Sequence, residues 1–209
     1  MVFTGTAEAA TTAALWHMSD RTTLVDSSGN GNNGTANNIT LVQGTSGMGY
    51  HFNGQNSVAT VPTSPSLNPG TANLRITARV RFSVVPSASV VDYDLVRKGL
   101  AGTAGGDWKM EIFPPSPGSP LGTAYCQFQD VNRTQASIRD TRNLADGAWH
   151  TISCVKTATQ IKVIVDGVSR SAPARLGSIS NNKPLTIGAK QGGGDQYLGD
   201  MDEVSIQIG

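Results

Sequence analysis

Three sets of residues in this sequence carry groups that can do chemistry. The first is the run DSSGNGNNG at residues 26–34, which packs one aspartate, three asparagines and three glycines into nine positions. Two structures satisfy such a run. Gly29, Gly31 and Gly34 can supply the positive φ of tight turns while Asp26 and the asparagines bond their own backbone. The same oxygens, from Asp26, Asn30 and Asn32, can instead close on a calcium ion, which takes about six to eight of them.

The second set is acidic and aromatic. Asp92 and Asp94 flank Tyr93 at i and i+2, which puts two carboxyls on one strand face near the roughly 5 Å separation of a retaining glycosidase. Glu111 stands alone. A lyase needs a tyrosine or histidine base and a cation to neutralise a uronate, roles open to Tyr93, Arg97 and Lys98, although no spacing rule singles them out. His17, His51 and His150 each adjoin an aromatic residue and read as hydrogen-bonded structural groups. There is no Gly-x-Ser-x-Gly elbow for a serine nucleophile, so no catalytic residue is assigned. Sugars are held by aromatic faces and planar polar side chains. Trp108 and Tyr197, placed by glycine-rich segments, are read first as core packing and otherwise as surface platforms, and in the second role they join Tyr93 and Arg97 as the candidate ligand-binding set. Trp16 and Trp149 are assigned to packing. Arg75, Arg79 and Arg81 line the polar face of one strand, where solvation is the plain role and the grip of an acidic glycan the functional one.

The third set is the pair Cys126 and Cys154. Cys126 shares parity with Phe128, and Cys154 with Ile152, so both thiols point toward the core. They are placed to meet across adjacent strands. A disulfide and two buried free thiols are both open, and export to an oxidising compartment favours the disulfide.

The elements that must position these groups are strands. In NLRITARVRFSV, Leu74, Ile76, Ala78, Val80 and Phe82 alternate with polar residues, the period of a half-buried strand. In QIKVIVDGVSRS, Ile161, Val163 and Val165 share a face before an Asp166-Gly167 hairpin turn. Short runs of the same kind recur in SVATV, WKMEIF, AYCQF, HTISCV, PLTIG and EVSIQI, separated by Gly, Pro, Asn and Ser. No 3.6-residue apolar pattern persists. Ten or more strands in an all-β sandwich are expected, with SVVPSASVVDY, GLAGTAGGD and PPSPGSP as loops on one domain. Composition excludes other classes. Only 15% of the 209 residues are charged and the formal net charge is +1, so no sequence-wide field draws in nucleic acid or an anionic membrane. No apolar run reaches the roughly 18 residues of a membrane span. The opening MVFTGTAEAATTAAL lacks the basic and long apolar regions of a secretory signal, and Met1 is read as a start that replaces a removed signal.

Taken in order, LWHMSD, LVDSSGNGNNGT, YHFNGQNSVATVP, LNPGT, ITARVRF, DGAWHTISCVK, KVIVDG, PLTIGAK and YLGDMDEVSI resemble the laminin G-like, concanavalin A-like jelly-roll domains of secreted bacterial proteins. The resemblance implies a two-sheet antiparallel jelly roll over residues 13–209, with 1–12 as an N-terminal extension. It also implies a structural calcium ion held between the 26–34 loop and the acidic pair of the last strand, Asp202 and Glu203. Alternation then puts Asp202 with Val204 and Ile206 and Glu203 with Ser205 and Gln207, and a cation would offset the cost of a buried carboxylate. The implied role is that of a secreted, non-catalytic module that binds an extracellular polysaccharide or other glycan. A polysaccharide lyase or hydrolase on the same fold and a protein-binding adhesion module stay open. Exposed aromatics without an acid/base cluster favour the binding module over both.

Overall fold

The structure, a computed structural model, describes residues 10–87 and 91–209. Most of the expected 1–12 extension and three residues of the SVVPSASVVDY loop lie outside the described residues. The strands in chain order are β1 (Thr11–Trp16), β2 (Thr23–Leu24), β3 (Gly34–Asn37), β4 (Thr40–Gln43), β5 (Met48–Asn53), β6 (Val58–Val61), β7 (Leu74–Arg81) and β8 (Tyr93–Lys98). They continue as β9 (Asp107–Phe113), β10 (Thr123–Gln129), β11 (Gln135–Arg139), β12 (His150–Lys156), β13 (Gln160–Val165), β14 (Val168–Pro173), β15 (Leu185–Ile187) and β16 (Leu198–Ile208). The helical content of the described residues is one 3₁₀ turn, Pro65–Leu67.

The strands form two antiparallel eight-stranded sheets. Sheet A runs β14-β13-β12-β7-β16-β5-β4, with β1 pairing to β16, and sheet B runs β11-β10-β9-β8-β15-β6-β3-β2. The expected jelly-roll sandwich is therefore what forms. Alternation drives it: Leu74, Ile76, Ala78 and Val80 of β7 are wholly buried, as are Trp108, Met110 and Ile112 of β9, while the residues between them face outward. At the β13–β14 hairpin Asp166 and Gly167 both take positive φ, 48° and 80°, the geometry of a turn that matches strand twist.

Two expectations about placement change. Cys126 and Cys154 do form a disulfide, with Cα atoms 5.5 Å apart, but not across adjacent strands. Cys126 lies on β10 of sheet B and Cys154 on β12 of sheet A, so the bridge fastens one sheet to the other through the core. Shared inward parity is equally compatible with facing sheets. The second change is in β16, where one extra residue between Asp202 and Ser205 breaks the pairing with β7 and Glu203 takes φ 52°. This bulge re-aims the side chains. Asp202 is thereby in register with the outward Arg79, rather than continuing the inward face of Val204 and Ile206.

Candidate functional site

The 26–34 loop is bonded to itself and to β1. Asp26 Oδ1 accepts from the backbone N–H groups of Leu15 at 3.0 Å and Ser28 at 2.9 Å. Its Oδ2 accepts from Ser28 Oγ at 2.9 Å and from Asn32 N at 2.8 Å. Burial pushes the Asp26 carboxyl up, and these hydrogen bonds outweigh it, so its pKa is lowered. The Asn30 and Asn32 amides donate to the carbonyls of Thr12 and Ala13. Trp16 Nε1 donates to the Asn32 carbonyl at 2.9 Å, which fixes the loop on the core. At the other end of the expected calcium set, Asp202 Oδ2 accepts from Thr45 N and Oγ1, both at 2.8 Å. Glu203 Oε1 meets His17 Nδ1 at 2.8 Å. The structure gives each acid of this set protein donors and does not gather Asp26, Asp202 and Glu203 around one point. Among the described residues, the acidic side chains whose oxygens lie within 4.8 Å of one another are Asp92, Asp94 and Glu111.

That trio lies on the outer face of sheet B, with most of the sequence-nominated ligand set near it. β8 and β9 pair so that Asp94 faces Glu111 and Arg97 faces Lys109. Arg97 Nη1 donates to Asp94 Oδ2 at 2.6 Å, and its Nε donates to the Gly99 carbonyl. Lys109 pairs with Glu111. Burial pushes the Glu111 carboxyl up to about 9, and the neighbouring Asp94 charge adds to this, so Glu111 holds its proton at neutral pH. It then supplies a donor for Asp94, whose Oδ1 otherwise meets none. Burial, with Asp195 and Asp94 nearby, raises Asp92 to about 6. Glu111 is 0%, Asp94 1% and Asp92 8% exposed. Of the expected Asp92–Asp94 pair only Asp92 keeps a sliver of solvent contact, and a retaining glycosidase needs both carboxyls at the bond.

The candidate platforms are also inside. Trp108 and Tyr197 are wholly buried, and Tyr93 and Arg97 nearly so, so the two large rings take the packing role and none of the four is a surface platform. Strand parity puts Trp108 opposite the inward Phe128. Tyr197 packs in a four-ring cluster with Phe52, Phe82 and Tyr93. The tryptophan that reaches solvent is Trp149, assigned to packing by sequence; it is half-buried, with the Arg81 guanidinium 4.8 Å from its ring centroid.

Arg81 is one wall of an open cleft on the outer face of sheet A. The cleft has a volume of about 400 Å³ and is lined by His51, Arg81–Val84, Gly147 and Leu198–Asp200. Three neighbouring strands meet there, because β16 lies between β5 and β7 and Asp200 is in register with His51 on one side and Arg81 on the other. Arg81 Nε and Nη2 contact Asp200 Oδ2 at 2.8 and 2.7 Å, and His51 Nδ1 lies 2.7 Å from Asp200 Oδ1. The central carboxylate is held from both sides, which leaves His51 Nε2 and the remaining Arg81 N–H groups for a ligand. Below the cleft, Tyr197 Oη sits 3.0 Å from the Asp200 carbonyl and 3.2 Å from that of Arg81. Residue 199 must be glycine for this approach, since a Cβ there would fall 2.6 Å from the hydroxyl and 2.7 Å from the Arg81 carbonyl.

Next in sequence to the cleft-lining Gly147, Asp146 Oδ1 lies 3.0 Å from His150 Nε2, and His150 Nδ1 lies 2.8 Å from Asp166 Oδ2. Burial pulls the imidazole down, and its hydrogen bonds to Asp166 and Asp146 more than offset this, so its pKa is raised. All three histidines are thus bonded to carboxylates, the structural role expected of them, yet His51 also borders the cleft. A larger groove of about 680 Å³ beside Thr63, Asn68 and Asn181 is lined by no charged or aromatic side chain. Sequence reasoning missed the His51–Asp200–Arg81 row because its members are far apart in the chain and only the strand order joins them.

The chain has counterparts among known proteins. A family model described as the concanavalin A-like lectin/glucanases superfamily matches residues 52–207. No curated protein matches in sequence. Among solved structures, the binding domain of Paraclostridial Mosquitocidal Protein 1 superposes with a TM-score of 0.76 at 17% identity, covering 94% of this chain and 48% of that one. Domain 4 of AbnA, a GH43 extracellular arabinanase from Geobacillus stearothermophilus, solved in complex with arabinotriose, gives 0.70 at 16% identity over 97% of this chain and 94% of that one. The botulinum neurotoxin serotype D ligand-binding domain in complex with N-acetylneuraminic acid gives 0.68 at 15%, over 94% and 47%. The chain spans about half the length of the two toxin chains. At these identities the likeness is one of fold.

Proposed function

Because this chain belongs to the concanavalin A-like lectin/glucanase superfamily, we propose that it is a carbohydrate-binding module that holds its glycan in the His51–Arg81–Asp200 cleft on the outer face of sheet A. The observation that carries the reading is the cleft's chemistry. A carboxylate, an imidazole and a guanidinium converge beside the half-buried ring of Trp149. Vicinal hydroxyls can accept from Arg81 and donate to His51, while apolar faces of the sugar lie against the cleft-lining Leu198 and Val84, with the Trp149 ring behind Arg81. Two structural neighbours, the arabinanase domain and the serotype D toxin domain, were each solved with a sugar, which supports the same ligand class here. The reading is binding without hydrolysis: among the described residues Asp200 is the only carboxylate that lines the cleft, whereas glycosidase chemistry needs two. The Cys126–Cys154 bridge supports an extracellular setting, where disulfides persist. No helix among the described residues is long and apolar enough to cross a membrane.

A glycan array probed with the wild-type chain and with His51→Ala and Trp149→Ala tests the proposal. The expected result is a defined set of bound glycans, lost at least tenfold in affinity in either variant while the melting temperature holds. Retained binding in both variants would remove the cleft from the account, and absence of any bound glycan would remove the function.

A further inference from the structure

The outer face of sheet A continues beyond the cleft as a row of cations. On central strand β7 the outward positions are Arg75, Thr77, Arg79 and Arg81, which alternate with the buried Leu74, Ile76, Ala78 and Val80. At about 6.6 Å per two residues, Arg79 stands about 7 Å from Arg81 and about 13 Å from Arg75. Arg81 is paired with Asp200. Arg75 and Arg79 are exposed and pair with no carboxylate among the described residues. Their cross-strand neighbours explain this. Arg75 lies between Val155 and Gln207, and Thr77 lies between Ser153 and Ser205. Arg79 lies between Thr151 and Asp202, and Asp202 is wholly buried and committed to the Thr45–Ser46 turn. The remaining acids near this face are taken up as well, Glu203 by His17 and Asp166 by His150. Lys162 on β13, opposite Val155, adds a further positive charge.

We infer that the glycan bound by this module is polyanionic and lies along β7, with successive carboxylate or sulfate groups on Arg79 and Arg75 and the chain entering the cleft at Arg81. The inference rests on the glycan-binding reading and specifies its ligand class. A guanidinium fork matches the paired oxygens of either anion, and unopposed like charges about 13 Å apart on one strand face suit a polymer that spaces its own charges along them. The hydroxyl and amide side chains of Thr77, Ser153, Ser205 and Gln207 give the strip a polar floor without a competing acid. The row has no aromatic residue beside Arg75 or Arg79 to stack a base, so an acidic polysaccharide fits it better than a nucleic acid.

The test measures binding of a polyuronate, a sulfated polysaccharide, a neutral arabinan and single-stranded DNA, at low and at physiological salt, to the wild-type chain and to the Arg75→Gln/Arg79→Gln double variant. The expected result is binding of one or both acidic polysaccharides that weakens with salt and falls about tenfold in the double variant, a few-fold for each charge contact. The salt dependence should shallow and the melting curve should not move. The polyuronate and sulfate arms distinguish the two anion sources. Binding of arabinan alone, acidic binding indifferent to the double variant, or tighter binding of DNA would each overturn this inference, and the first two would leave the glycan-binding reading standing. Failure of every polysaccharide, with the array also blank, would overturn both.

Discussion

The two outer faces of this sandwich carry similar residue types and put them to opposite uses. On sheet B, Asp94, Glu111, Arg97 and Lys109 pair with one another, and the two acids are sealed from water. On sheet A, Arg75 and Arg79 are exposed and pair with no carboxylate among the described residues, and a paired carboxylate, Asp200, borders an open cleft. Burial is what separates them. A charge out of water must be matched within the protein, whereas a charge at the surface is free to be matched by a ligand. Charge alone therefore does not mark a binding site; accessible, incompletely matched charge does.

The largest expected effect contrasts arginines across the two faces. Arg97→Met strips Asp94 of its cation inside sheet B and should cost about 3–5 kcal/mol, while Arg79→Met on sheet A should stay within about 0.5 kcal/mol. Denaturant unfolding of the two variants checks this, and equal costs would erase the distinction drawn between the faces. Next comes the bridge that fastens the faces together: Cys126→Ser/Cys154→Ser should lose about 3–4 kcal/mol, from the closure of a 28-residue loop, read as a lower urea midpoint.

The third prediction uses the sealed proton. Glu111 titrates near 4.5 unfolded and about 9 folded, so between these values the native state holds the extra proton. Its contribution is then fullest below about 4.5 and is lost as pH rises through 9, by at most about 1.4 kcal/mol per pH unit. Glu111→Gln should flatten that slope. A smaller effect belongs to the 26–34 loop, where Asp26→Ala removes four accepted hydrogen bonds and should cost about 2 kcal/mol. The loss should be the same with and without a chelator, as thermal melts will show, because the oxygens of Asp26 already have protein donors. A loss confined to chelator-free buffer would return the loop to a cation.

Much of this fold was legible in sequence because alternation is a local property: the strands at 74–81, 150–156 and 160–165, the 166–167 turn and the inward cysteines can all be read from neighbours in the chain. The site was less legible, for three physical reasons. Strand order, not spacing, brings His51, Asp200 and Arg81 together. Aromatic residues at strand positions do not declare which face they take, so Trp108 and Tyr197 went inside and Trp149 out. The bulge at Asp202–Ser205 breaks the alternation on which the placement of Asp202 rested. The density of oxygens in residues 26–34 was correctly seen, but whether those oxygens meet an ion or the loop's own N–H groups depends on how β1 passes the loop, which is a tertiary fact.

The central claim, that sheet A and not sheet B presents the glycan site, is tested most directly by the indole resonances. The chain has three tryptophans; Trp16 and Trp108 are wholly buried and Trp149 reaches solvent beside Arg81. In ¹H–¹⁵N spectra recorded while a glycan that scores on the array is titrated in, the account predicts that the Trp149 Nε1–H signal and the amides of His51, Arg81 and Asp200 shift together to saturation while the Trp108 indole stays still. Saturable shifts confined to β8–β11, with Trp149 unmoved, would contradict it.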